Sequence, residues 1–138
     1  MFVGHTGLFV TLAFRDKAFT ENVIYERLLS DKLATNLRYL YENIVAQMLT
    51  ASGNKLFYHS WPTESGKHNY EVDFLLSRGT KILPIEVKSS SYKTHASIDA
   101  FCKKFSSRIT NERYLIYTKD YAREESMKYL PAYLAYFL

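Results

Sequence analysis

The stretch that decides the fold runs from Tyr70 to Lys88 and reads YEVDFLLSRGTKILPIEVK. Its first half has apolar residues at every second position, which predicts a strand with one apolar face formed by Tyr70, Val72, Phe74 and Leu76. Its second half alternates in the same way, and a short turn that contains a glycine separates the two halves. The stretch therefore predicts a β-hairpin.

The flanking segments extend this hairpin into a larger domain. Upstream, helical spacing over residues 32–51 ends at a Ser-Gly-Asn stop, and residues 56–59 read as a short strand. Downstream, the spacing predicts a helix over residues 94–107, a strand over 113–118, and a strand end leading into a short helix with Pro131 in its first turn. This order predicts an α/β domain with a mixed central β-sheet flanked by helices.

Acidic residues interrupt both apolar strands of the hairpin. Asp73 lies between Val72 and Phe74, and Glu86 lies between Ile85 and Val87. A charge that faces a packed surface is costly unless it is paired or binds a metal. In a hairpin the two carboxylates can lie on the same face of adjacent strands, close enough to share an ion.

The chemistry of these groups matches phosphodiester hydrolysis. Two carboxylates and a backbone carbonyl are hard oxygen ligands that suit Mg²⁺ or Mn²⁺. Lys88 projects from the same face as Glu86, where it can orient an attacking water or offset phosphate charge. The alternative is that the acids form the solvated face of an ordinary hairpin, with Glu86 and Lys88 as a surface ion pair.

Four motifs in order carry a resemblance to a known family. EVDFLL followed by ILPIEVKSS resembles the Asp…Glu-x-Lys motifs of the PD-(D/E)XK nuclease superfamily, whose fold is restriction-endonuclease-like. Together with LYENIVAQML and LPAYLAYFL, these segments are similar to the C-terminal domain of a bacterial and archaeal family of AAA-type ATPases. His5-Thr6-Gly7-Leu8 is similar to an Asp-Thr-Gly-Leu motif of that family, with His5 in place of the acid.

The resemblance implies roles for individual residues. Asp73 and Glu86 would be metal ligands, and Lys88 the catalytic lysine. Glu42, in the helical motif Tyr-Glu-Asn, matches a helical acid that helps to hold a second metal or a metal-bound water. Glu71 shares a face of the predicted strand with Asp73 and could assist, although a solvated or salt-bridged role is the alternative.

The ATPase module of that family is not found in this sequence. No G-x-x-x-x-G-K-[ST] motif occurs, so no ATP site is expected in these residues. We expect residues 1–30 to be an N-terminal segment left from an upstream module, and residues 31–138 to form the nuclease-like domain. The chain is then either a truncated relative or the C-terminal part of a longer protein.

Composition sets broad limits on function. The net charge of +4 is compatible with a polyanionic partner, and 47% hydrophobic residues allow a real core in one domain of 138 residues. A single cysteine excludes an internal disulfide and a thiolate zinc cage, and no apolar run is long enough to span a membrane. The first residues lack the basic start and the cleavage site of a secretory signal, so we expect a cytoplasmic protein.

Basic residues after the hairpin offer possible phosphate contacts. They would partly line one side of the second helix: Lys93, Lys103, Lys104 and Arg108. The alternative is that they form an ordinary solvated helix face.

Two functions remain open from the sequence. The first is a divalent-metal-dependent nuclease acting on DNA or RNA. The second is a non-catalytic module of the same fold that binds nucleic acid, or that docks an ATPase domain or another partner chain.

Overall fold

A six-stranded mixed sheet forms the centre of the chain in the computed structural model, which describes residues 34–89 and 93–138. The helices are α1 (Ala34–Ala51) and α2 (Ala96–Lys104), with 3₁₀ segments at Ser106–Arg108 and Ala132–Phe137. The strands are β1 (Phe57–Pro62), β2 (Asn69–Arg78), β3 (Lys81–Val87), β4 (Arg113–Tyr117), β5 (Ala122–Glu124) and β6 (Met127–Pro131). The proposed N-terminal segment 1–30, including His5, lies outside the described residues.

The strand order is β1-β2-β3-β4-β6-β5. Strands β1, β2 and β3 pair antiparallel, whereas β3, β4 and β6 pair parallel, and β5 is antiparallel to β6. Parallel neighbours need a crossover connection, and α2 supplies it between β3 and β4. The predicted α/β class, with a mixed sheet and flanking helices, is confirmed.

Both faces of the sheet are covered. On one face, α1 and the C-terminal 3₁₀ segment pack against a cluster that includes Val45, Leu49, Phe74, Ile85 and Ala135. On the other face, Ile98 and Cys102 of α2 pack against residues of β4 and β6, namely Leu115, Tyr117, Met127 and Tyr129. The sheet is thus the middle layer of three.

Two glycines end or turn elements where the sequence predicts it. Gly53 has φ +87°, and Asn54 N–H donates to Leu49 O at 3.0 Å, which closes α1 with a six-residue capping bond. Gly79 has φ +63° at the first position of the two-residue turn that joins β2 and β3. Glycine adopts this left-handed backbone without steric cost, so the hairpin turn is tight.

The predicted single apolar face of β2 is wrong. Between the pairs Phe57–Leu75 and His59–Val72, β1 advances by two residues and β2 by three, so the register shifts by one. Such a bulge breaks the alternation of faces. Phe74 and Leu76 join the α1-side core, whereas Val72 pairs with His59, whose ring contacts Phe101 of α2.

The C-terminal third also differs in detail from the prediction. The strand that contains Pro131 has five residues, and β5 was not predicted because its three exposed residues show no apolar alternation. Pro131 ends β6 instead of lying in the first turn of a helix, and the segment that follows is a 3₁₀ helix. The helix predicted over 94–107 ends at Lys104, and a 3₁₀ turn follows it.

Candidate functional site

Asp73 and Glu86 lie close together at the end of the hairpin away from its turn. The pairing of β2 with β3 ends at Phe74 and Ile85, and Asp73 and Glu86 are the next residues of the two strands. They are near enough for the charge of Glu86 to raise the pKa of Asp73. Both side chains are buried, with Asp73 8% and Glu86 4% exposed, which is unusual for carboxylates.

A backbone hydrogen bond fixes the carboxylate of Asp73. Val87 N–H donates to Asp73 Oδ2 at 2.7 Å, although the two residues are 14 positions apart in the sequence. The carboxylate thus accepts the N–H of the last residue of β3, beside the register shift in β2. Bulges that re-aim a side chain in this way are frequent next to active sites.

Glu86 has one oxygen that is paired and one that is not. Its Oε1 lies 2.7 Å from Lys88 Nζ, as the shared face of alternate strand residues predicts. Its Oε2 is buried and has no hydrogen-bond partner among the described residues. An unpaired buried carboxylate oxygen carries a large desolvation cost, so it calls for a ligand that offsets that cost.

Helix α1 adds a third carboxylate and a cation. Arg38 Nε lies 2.6 Å from Glu42 Oε1, and an Arg38 terminal nitrogen lies 3.5 Å from Asp73 Oδ1. The arginine thus links the helix to the hairpin. Arg38 was missed in the sequence analysis, although it stands four residues before Glu42, the spacing at which a helical ion pair forms.

The environment raises the pKa of Asp73 from 3.8 to about 7. Burial is the main cause, and the nearby negative charges of Glu42 and Glu86 act in the same direction. The hydrogen bond from Val87 and the charge of Arg38 lower the pKa and oppose this change only in part. Burial therefore favours the protonated form of Asp73 far more than it is favoured in an exposed carboxyl.

Replacing Arg38 with alanine should raise the pKa of Asp73 further, because it removes the cation that faces the carboxylate. Arg38 is half exposed, so we expect the low end of the roughly 1–3 pH units that a close opposite charge produces. The pKa is measured by NMR titration of the Asp73 side-chain carbon. Arg108→Ala, at an exposed position, is the control. A pKa of Asp73 that stays unchanged in Arg38→Ala would show that this ion pair does not form in solution.

Glu71, the remaining acid of β2, does not join the buried group. It pairs with Ser60 on the far side of the register shift and its side chain is exposed. The arrangement agrees with the solvated alternative for this residue.

The four basic residues do not form one stripe. Lys103 and Lys104 lie in the last turn of α2 and Arg108 in the following 3₁₀ turn, all exposed. Lys93 precedes the helix, whose nine residues span about 13 Å. Because α2 carries the chain from the carboxyl end of β3 back to the amino end of β4, only Lys93 lies at the same end of the sheet as Lys88.

The residues present suit an Mg²⁺ or Mn²⁺ ion with water ligands better than a closed metal cage. Within residues 34–89 and 93–138 no group of three or more His, Cys, Asp or Glu side chains could hold a metal. Mg²⁺, however, usually keeps several waters and binds proteins through one or two carboxylates plus substrate phosphates. Asp73 and Glu86, with one unpaired oxygen on Glu86, supply that minimal donor set.

The fold and the buried acids place this chain among α/β domains with a polar site at the end of a hairpin. The sequence profile described as "Domain of unknown function (DUF4143)" matches residues 38–134, so the chain belongs to that family. Comparison with curated proteins and with solved structures gave no match. In the described part of the chain, no helix is long and apolar enough to cross a membrane.

Proposed function

We propose that this domain is a nuclease that hydrolyses phosphodiester bonds in DNA or RNA with the help of Mg²⁺ or Mn²⁺. The observation that carries the proposal is the buried Oε2 of Glu86, which has no hydrogen-bond partner among the described residues and belongs to a carboxylate close to Asp73 and beside Lys88. Two neighbouring buried acids each cost free energy of folding, so a purely structural hairpin gains nothing from them.

The two carboxylates would hold the cation, which when bound would neutralise phosphate charge and lower the pKa of a water. Asp73 is held for this role by the N–H of Val87, so its carboxylate does not need to be reoriented when a cation arrives. Ligand carboxylates must be deprotonated, and the pKa of Asp73 near 7 therefore predicts that cation affinity rises from pH 6 to pH 8.

Lys88 would act on the substrate. Its ammonium group is held 2.7 Å from Glu86 Oε1 and keeps a quarter of its side chain exposed, so it can donate to a phosphate oxygen or to the attacking water. Glu42 lies close enough to Asp73 to affect its pKa and is already paired with Arg38. A role in holding a metal-bound water would require this ion pair to open.

Titration with Mn²⁺ tests the cation site. Glu86→Gln removes the charge but keeps the shape, so we expect calorimetry to show at least a tenfold loss of Mn²⁺ affinity relative to the wild-type chain. Glu64→Gln, in the exposed β1–β2 loop, is the matched control and should bind as the wild type does. Equal affinity of Glu86→Gln and wild type would reject the assignment of Glu86 as a ligand.

A second candidate function is a non-catalytic module that docks an ATPase domain or another protein. Large exposed aromatic side chains favour it: Tyr39, Tyr133, Tyr136 and Phe137, of which Phe137 is 79% exposed. Aromatic residues are enriched in protein interfaces. Under this function the chain would bind its partner without divalent ions, and neither the wild type nor Glu86→Gln would cleave nucleic acid.

A further inference from the structure

A cavity lies on the α2 side of the sheet, among residues that the proposed nuclease site does not use. It has a volume of about 330 Å³. The connection from β3 to α2 and the strands β4, β5 and β6 contribute its walls, which are Lys93, His95, Tyr117, Ala122, Glu124 and Tyr129. Pockets of this size that combine apolar walls with a few polar groups are typical ligand sites.

The strand register fixes the position of the cavity relative to the acids. Glu86 pairs with Leu115, and Leu115 pairs with Tyr129, so Tyr129 lies in the same row as Glu86, two strands away. Neighbouring strands are about 4.8 Å apart, so the two backbones are separated by about 10 Å. Val87 pairs with Ile116, and the two strands are parallel, so the next residues, Lys88 and Tyr117, lie beside each other on neighbouring strands. Neighbouring nucleotides of one strand can reach both places.

The aromatic wall is rigid. Tyr117 and Tyr129 are 5% and 6% exposed, and their ring centroids are 5.6 Å apart. The Tyr117 hydroxyl donates to Asp120 O, and the Tyr129 hydroxyl donates to Glu124 Oε2 at 3.2 Å. The two buried rings therefore hold this wall of the cavity in place before a ligand binds.

The charged groups of the cavity lie on two sides. Lys93 and His95 come from the β3–α2 connection, and Asp99 holds the imidazole, with His95 Nδ1 2.5 Å from Asp99 Oδ2. Arg113 lies 2.8 Å from the other Asp99 oxygen and fixes that carboxylate. Glu124 comes from β5 and presents a carboxylate, which repels phosphate but accepts hydrogen bonds from amino groups.

We infer that the cavity holds the unpaired base of a nucleotide whose neighbouring phosphate lies at Asp73, Glu86 and Lys88. The inference rests on the proposed nuclease function and narrows its substrate to single-stranded nucleic acid, because a base inside a pocket cannot remain paired. Lys93 and His95 face the phosphate side of that nucleotide. Glu124 selects bases that carry an amino group, so cytosine, adenine and guanine are preferred over thymine.

Binding of short fluorescein-labelled single strands to the full chain tests the inference. Binding is measured in EDTA, which removes the divalent cations that cleavage requires. Oligo-dC is expected to bind at least about fivefold more tightly than oligo-dT, and a matched duplex is expected to bind more weakly than either. Glu124→Gln should lose this base preference, and Lys93→Ala should weaken binding to all single strands. Lys81→Ala, an exposed lysine at the start of β3, is the control for loss of charge alone.

Each outcome decides between the two proposals. Equal binding of dC and dT, no binding of single strands, or an unchanged preference in Glu124→Gln overturns the base pocket, while cleavage that depends on Lys88 leaves the nuclease intact. A base preference that depends on Glu124, without any cleavage, supports the pocket and rejects the nuclease. Glu124 and Lys93 are exposed, so both variants should fold, which circular dichroism verifies.

Discussion

Replacing Lys88 with methionine is expected to lower the rate at which the chain cleaves single-stranded DNA or RNA in Mg²⁺ by about 100- to 1000-fold, the usual cost of removing a group that stabilises developing charge. The substitution keeps the length of the side chain and removes the ammonium group that lies 2.7 Å from Glu86 Oε1. Binding of Mn²⁺ should persist, because both carboxylates remain. The combination of lost cleavage and retained cation binding separates Lys88 from the ligands.

The control for this prediction is Lys81→Met on the same strand. Lys81 is exposed and pairs with Arg78 at the turn end of the hairpin, far from the acids. Its substitution therefore removes the same positive charge without changing the site. The Lys81→Met variant should cleave single strands at the rate of the wild-type chain. If Lys88→Met cleaves single strands at the wild-type rate, the lysine has no role in hydrolysis and the proposed mechanism is wrong.

The second large effect concerns stability and pH. The pKa of Asp73 is about 7 in the folded chain against 3.8 for an unperturbed carboxyl, so the folded state holds this proton more tightly. The resulting stabilisation is fully present below about pH 4 and is lost as the pH rises towards 7. Since a tenfold change in proton affinity corresponds to about 1.4 kcal/mol, the full loss is on the order of 4 kcal/mol.

Asp73→Asn should remove this pH dependence. The amide cannot ionise, and its oxygen can still accept the N–H of Val87 that now reaches Asp73 Oδ2. We expect the variant to be more stable than the wild type at about pH 8 and to lose this advantage at about pH 4. Urea unfolding at several pH values gives the free energy of unfolding of each protein. The difference between the variant and the wild type at each pH cancels the contribution of all other titrating groups.

Asp120→Asn is the control for this measurement, because Asp120 is exposed on the loop after β4. It should follow the wild-type pH dependence. If the free energy of unfolding changed with pH in the same way for the wild type and Asp73→Asn, burial would not raise the pKa of Asp73. The proposed cause of the pH dependence would then be wrong.

Local patterns predicted much of the site. The period-two alternation around Glu86 and Lys88 puts both on one face, and the structure joins them by an ion pair. The two-residue turn with Gly79 sets the register that runs to Phe74 and Ile85, the residues next to Asp73 and Glu86. These relations depend on residues close in sequence, where strand geometry and turn sterics leave few choices.

Contacts between distant segments could not be predicted in the same way. Arg38 reaches Asp73 across 35 residues, and the shift in β2 depends on how β1 pairs with it. The cavity needs β5, which has no sequence signal, and the parallel pairing of β4 with β6. Each of these features depends on which helices and strands pack next to each other. The hydrophobic periodicity of a single segment does not predict that arrangement.

By itself, the sequence determined the α/β class, the hairpin, helix α1 and the three ionisable residues that project from the hairpin, because periodicity, glycine sterics and charge placement act over a few residues. Only the tertiary structure decided that Asp73 is buried deeply enough to raise its pKa, that one oxygen of Glu86 lacks a partner, and that a cavity opens two strands away. The physical reason is that burial and the electrostatic environment belong to the packed layers as a whole, and not to any single strand.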